Sequence, residues 1–170
     1  MIIPPVPPTY TLLWSQANES LDSGMSNDCG ADNAGLGQYW QTGYTAIIGH
    51  VVNKVIVNLK KSGTPTGTFN CYVVKADGTL ITIGSMSAST ITTSYVSYEF
   101  VNNTNAVSMA TNDAVGFNYS GTDGVIYVRL WLDTGPEANT GVSYICPVSA
   151  TAWGQLSSYQ LKIEGVYEKD

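Results

Sequence analysis

The feature that most constrains this chain is the period of its apolar residues. No window of about 11 residues places them at i, i+3, i+4 and i+7 free of Gly or clustered β-branched residues, so an amphipathic helix has nowhere to start. They alternate instead. Val55, Val57 and Leu59 alternate with Lys54, Asn58 and Lys60, with Ile56 interrupting the polar face. Val96, Tyr98 and Phe100 alternate with Ser97 and Glu99, and Tyr159, Leu161 and Ile163 alternate with Gln160, Lys162 and Glu164. Successive side chains of a strand point to opposite faces, so each run predicts a strand with one face in a core and one in water. Residues 125–132 read VIYVRLWL, apolar on both faces, and predict a central strand.

Turn signals separate these runs: KSGTPTG at 61–67, Asp77-Gly78, and the loops 102–105, 121–124 and 134–141. Asp77-Gly78 predicts a tight hairpin with positive φ at both residues. The segments 10–14, 44–49, 51–61, 68–76, 79–84, 94–101, 105–109, 113–120, 124–133, 141–146 and 157–168 read as strands, of which nine or ten are expected to form. Many short strands at regular spacing, in 170 residues, predict an all-β fold. The expected form is an antiparallel two-sheet β-sandwich, a jelly roll, with an extended N-terminal arm. Three parts are expected: a Pro-rich arm and strand over 1–14, a long polar loop over 15–43, and one globular body over 44–170.

Composition narrows the function. Charged residues are 12%, about half the usual share, and the formal net charge is −6 with 7 Lys+Arg. So few cations give nucleic acid or an anionic membrane surface little to bind, and neither is expected as a partner. No segment reaches the roughly 18 apolar residues of a membrane helix. MIIPPVPPTYTLLW has no Lys or Arg and its prolines break any h-region, so the expectation is a chain that is mature as given or made without such a signal. A surface of Ser, Thr, Asn, Gln and Gly suits an extracellular or virion-surface location.

Residues able to carry chemistry are sparse. His50 is the single histidine, no GxSxG elbow occurs, and no carboxylate pair is singled out; the chain is expected not to be an enzyme. Asp28 and Asp32, in the loop NDCGADN, are weak candidates for a structural calcium site, without the EF-hand pattern. No other cofactor is implied. Cys29, Cys71 and Cys146 lack metal spacing; Cys29 with Cys146 is the candidate disulfide, against buried thiols. Tyr39, Trp40 and Trp153 stand in Gly/Ser-rich contexts and are candidates for stacking on sugars. Asn18, Asn102 and Asn118 head N-x-S/T sequons, candidate glycan attachment points.

The N-terminus weighs most. Pro4, Pro5, Pro7 and Pro8 stiffen a lead that ends in the alternating run Thr9 to Trp14. Such a strand either folds back onto its own sheet or is donated to a neighbour's open edge, head to tail. Ile2, Ile3, Val6, Tyr10, Leu12 and Trp14 are the apolar anchors of that arm.

The runs VIVNLKKSGTPTG (55–67), CYVV (71–74), ITTSYVSYEF (91–100) and NDAVGFNYSG (112–121) carry a resemblance. They resemble jelly-roll domains of extracellular and phage-type multidomain proteins from environmental archaea and bacteria, similar in build to carbohydrate-binding modules. The resemblance covers about two-thirds of the chain and leaves out the arm. It implies a β-sandwich without a catalytic centre, used for adhesion or assembly, and brings no ligand residues. The expectation is therefore a structural subunit of an extracellular filament, pilus-like appendage or virion surface, a homo-oligomer joined by its N-terminal segment. The alternative is a carbohydrate-binding module or adhesin with glycans as partners.

Overall fold

The computed structural model describes residues 6–14, 22–28, 34–39, 47–104, 107–132, 142–147, 154–155, 159–161 and 163–170. Among them the chain is nearly all-β: β1 (Tyr10–Trp14), β2 (Asp22–Asp28), β3 (Ala34–Tyr39), β4 (Lys54–Gly63), β5 (Thr68–Val74), β6 (Leu80–Ser87), β7 (Val96–Val101), β8 (Ala114–Ser120), β9 (Gly124–Leu132), β10 (Val142–Pro147), β11 (Gly154–Gln155), β12 (Tyr159–Leu161) and β13 (Ile163–Lys169). One 3-10 turn, Ala88–Thr90, follows β6.

All pairings are antiparallel and make two sheets. The first holds the row β2-β9-β4-β7, because β9 pairs with β2 and β4, and β4 with β9 and β7. The second runs β11-β10-β3-β8-β5-β6. In the first sheet β4 and β9 lie side by side from Leu59↔Val128 to Gly63↔Gly124. Beyond that point β12 follows β9 and β13 follows β4, so the last part of the chain lies at a fork between them. β1 pairs with the edge of β13 that faces away from β4.

The alternation works as expected. Val55, Val57 and Leu59 are fully buried, and across from them Phe69, Cys71 and Val73 of β5 are too. Phe69 touches Phe100 of β7 in the other sheet and Phe117 of β8, each at a centroid distance of 5.9 Å. Aromatic pairs at that separation add to the gain from burial itself. On β13 the period shifts at a bulge between Ile163 and Gly165, which brings Ile163 and Val166 both into the core.

A buried carboxylate closes the far end. Asp113, 1% exposed, accepts from the backbone N–H groups of Ala110 (2.7 Å) and Ala76 (3.0 Å) and from Lys75 Nζ. It ties the β5–β6 hairpin to the start of β8. At the other end the turn 63–67 lies against 120–124, and a Cβ on Gly121 would sit 1.8 Å from the Thr66 carbonyl oxygen.

Several expectations are corrected. Residues 47–49 form a turn and not a strand, with Gly49 N–H donating to Met109 O at 2.7 Å. Segment 105–109 contributes one isolated bridge, Val51↔Ser108, among its described residues. Segment 157–168 divides into β12 and β13, which serve different neighbours. The expected loop 15–43 contains β2 and β3; DSGMSND and AGLGQY hold no β-branched residue, and pairing with β9, β8 and β10 overrides that weak propensity. The Asp77-Gly78 turn has positive φ at Gly78 alone. Gly78 N–H donates to Lys75 O and Lys75 N–H to Thr79 O, so the loop is a type I turn followed by one left-handed residue.

Replacing Phe69 with Ala is expected to cost about 3–5 kcal/mol in urea unfolding, by loss of burial and creation of a cavity between the sheets. A loss below about 1 kcal/mol would show that the sheets do not depend on this contact.

Candidate functional site

His50 pairs with Glu168 on β13, Nδ1 to Oε2 at 2.9 Å, and the other oxygen of Glu168 accepts from Val51 N–H at 3.0 Å. Among the described residues no group of three or more His, Cys, Asp or Glu could hold a metal ion. Asp28 ends β2, and Asp32 lies outside the described residues. Cys71 is a free, buried thiol, and burial pushes its pKa well up, so it packs as a small apolar group. Cys146 lies on β10, and Cys29 lies outside the described residues.

The sequon asparagines fare differently. Asn118 is 8% exposed on β8, and its Oδ1 accepts from Asn70 Nδ2 (2.8 Å) and Tyr72 Oη (3.2 Å). In the folded chain it is an interior position. Asn102 follows β7; its Oδ1 accepts from Thr104 N–H, and its Nδ2 donates to the Thr82 carbonyl of β6 at 2.8 Å. That bond joins the neighbouring edges of the two sheets. Asn18 lies outside the described residues, as do Trp40 and Trp153; Tyr39 ends β3.

What the fold does assemble is a seat for β1. Among the described residues, β13 is fastened to the body along one edge. Beyond β4 that edge is held by Asn53, itself 5% exposed. Asn53 N–H donates to Tyr167 O (2.9 Å), its Oδ1 accepts from Lys169 N–H (3.0 Å), and its Nδ2 donates to Asn102 O (2.9 Å). Glu168 adds the bonds to His50 and Val51. β13 thus continues as a fixed rail past the end of β4, and its other edge is presented to β1.

β1 lies on that rail in the register Tyr10↔Lys169, Thr11↔Glu168, Leu12↔Tyr167 and Trp14↔Val166, with a bulge between Leu12 and Trp14. Its start is secured by polar groups. Asp170 N–H donates to Thr9 O (3.2 Å), Thr11 Oγ1 donates to Asp170 Oδ1 (2.5 Å), and Tyr10 Oη donates to Asn103 Oδ1 (3.0 Å). Lys54 Nζ lies 4.3 Å from the ring centroids of both Tyr10 and Tyr167. Among described residues β1 gives the core only Leu13, which is partly buried, while Leu12 is 49% and Val6 85% exposed. Of the anticipated arm anchors, Tyr10 and Leu12 sit on the seat, Trp14 closes β1, Val6 stands in solvent, and Ile2 and Ile3 lie outside the described residues. The seat was not readable beforehand: Asn53 and Glu168 are ordinary polar residues in the sequence, and only the fold brings them together.

No family model, curated protein or solved structure matches the chain.

Asn53→Ala strips partners from Lys169 N–H and Asn102 O. We expect a loss of about 1–3 kcal/mol in urea unfolding and faster amide exchange in β13 than in β8. Unchanged protection of β13 would show that Asn53 does not hold the rail.

Proposed function

We propose that the chain is a non-enzymatic structural subunit of an extracellular filament, pilus-like appendage or virion surface. Copies join when β1 of one chain occupies the β13 edge of the next. The body is read as a jelly-roll β-sandwich. Eight consecutive strands, β2 to β9, support that reading by their order, β2-β9-β4-β7 in one sheet and β3-β8-β5-β6 in the other. This is the order two Greek keys generate when they roll into facing sheets.

The observation that carries the proposal is that β1 is surplus to this set. In the structure it pairs with β13 of its own chain, through one strand ladder and a few polar bonds, and among its described side chains the core receives the partly buried Leu13. The same ladder made between copies would keep every backbone bond. Removing β1 exposes the unpaired N–H and C=O groups of β13, a template for any other extended segment. The prolines of the lead favour an extended chain, so less entropy is lost when the segment is captured. A donation that passes from copy to copy without closing gives a fibre. The low charge and the Ser, Thr and Asn content suit an extracellular location.

Negative-stain electron microscopy of the full chain beside a chain lacking residues 1–14 tests this. The expected outcome is polymers from the full chain alone, with the truncated chain folded and dispersed. Polymers that survive truncation, or dispersed monomers in both samples, would overturn the proposal; dispersed monomers in both would turn attention to glycan binding.

A further inference from the structure

One side-chain bond that holds β1 ends on a carboxylate, and a second carboxylate secures the strand it lies on; this inference rests on the donated-strand reading above. Asp170, the residue after β13, accepts from Thr11 Oγ1 and lies against Thr9 through its N–H. Glu168, two residues earlier, stands opposite Thr11 in the ladder and ties the rail to His50 and Val51. One carboxylate therefore fastens the strand, and the other fastens what the strand sits on. We propose that β1 is latched by Asp170 and Glu168, and that acidification opens the latch and frees β1 to exchange between copies.

The surrounding charges favour this direction. From the 47–53 segment only His50 faces Glu168. From β4, Lys54 is engaged with the rings of Tyr10 and Tyr167 and with Glu99 at 3.7 Å. On β13 itself Lys169 lies between the two carboxylates in sequence, and from β1 the facing groups are the neutral Thr9, Tyr10 and Thr11. Asp170 and Glu168 repel each other while both are charged, which raises the pKa of Glu168 slightly. The hydrogen bonds outweigh that. The Thr11 hydroxyl, then that of Thr9, hold the Asp170 carboxyl below its ordinary range. The His50 hydrogen bond, then the Val51 N–H, do the same for Glu168.

The sign follows. A carboxyl whose folded pKa is depressed contributes stability that is complete above its unfolded value, about 4. That contribution is lost as pH falls through the folded value. The latch is closed at neutral pH and opens below about pH 4. Asp113, the buried carboxylate at this same end of the sheets, bonds Ala76, Ala110 and Lys75 rather than β1 or β13, and is not part of it.

The test is amide hydrogen exchange of the full chain between about pH 6.5 and pH 3. β1 peptides are normalised to β8 peptides of the same sample to remove the intrinsic pH dependence. We expect the relative protection of β1 to fall in acid while that of β8 holds. We expect Asp170→Ala to show that loss already at neutral pH, and Asp170→Asn, which keeps an acceptor oxygen but cannot titrate, to reduce the pH dependence to the part Glu168 supplies. Parallel protection of β1 and β8 at every pH, or a wild-type profile in Asp170→Ala, overturns the latch.

Mixing two fluorescently labelled populations of the full chain separates this claim from the reading beneath it. Mixing that speeds up in acid supports both. Mixing at one rate at all pH keeps the donated strand and overturns the latch. Acid release of β1 with no mixing at any pH keeps the latch and overturns the donated strand.

Discussion

The contact between Phe69 of β5 and Phe100 of β7 is where the two sheets meet. Around it Leu59, Phe117, Tyr119 and Ile126 are all buried to within 1% of complete, and they come from both sheets. Keeping this interface dry fixes which face of each strand turns inward. A slip of one residue in any of these strands would send its apolar set into water. The ladders of β4 with β7 and β9, and of β5 with β6 and β8, are the arrangement that satisfies that requirement.

The inward faces of β4, β5, β8 and β9 were legible in the sequence because alternation and burial obey the same period of two. Residues 55, 57 and 59 show it most clearly. Legibility failed where pairing, not pattern, makes the strand. β2 and β3 carry glycines, serines and polar residues that signal a loop, and they extend because neighbouring strands offer backbone partners. The 105–109 segment failed in the opposite way: Val107 and Met109 are buried as an apolar pattern suggests, yet their chain makes bonds to the 49–52 segment without becoming a strand. The Asp77-Gly78 turn was placed correctly and typed wrongly, since Gly78 alone takes the left-handed conformation. At the candidate site the sequence singled out Tyr10 and Leu12, but not the rail that receives them. Asn53, Glu168 and Asp170 are distant from Thr11 along the chain, and nothing in their local context marks them.

The proposed assembly follows from a division of labour within the chain. Strands β4 to β9 supply most of the described core, and β13 adds Ile163 and Val166 to it. β1 adds backbone bonds, a polar fastening and, among its described side chains, the partly buried Leu13. An edge element held by one ladder and a few polar bonds is drawn from the low-stability end of a fold, where local release costs least. Its seat keeps its shape meanwhile, since Asn53 holds β13 from the far side. A strand that leaves easily and an edge that stays formed are the two requirements for exchange between copies.

That claim is tested most directly by asking which chain supplies the strand. Leu12 and Tyr167 are cross-strand partners, so a cysteine at each position would be close enough to bridge when β1 is seated. Chains carrying Leu12→Cys alone are refolded together with chains carrying Tyr167→Cys alone, and the oxidised product is mapped by peptide mass spectrometry. The account predicts a disulfide joining position 12 of one chain to position 167 of another. Its absence, with efficient bridging when both cysteines are placed in a single chain, would show that β1 stays on its own sheet and would contradict the account.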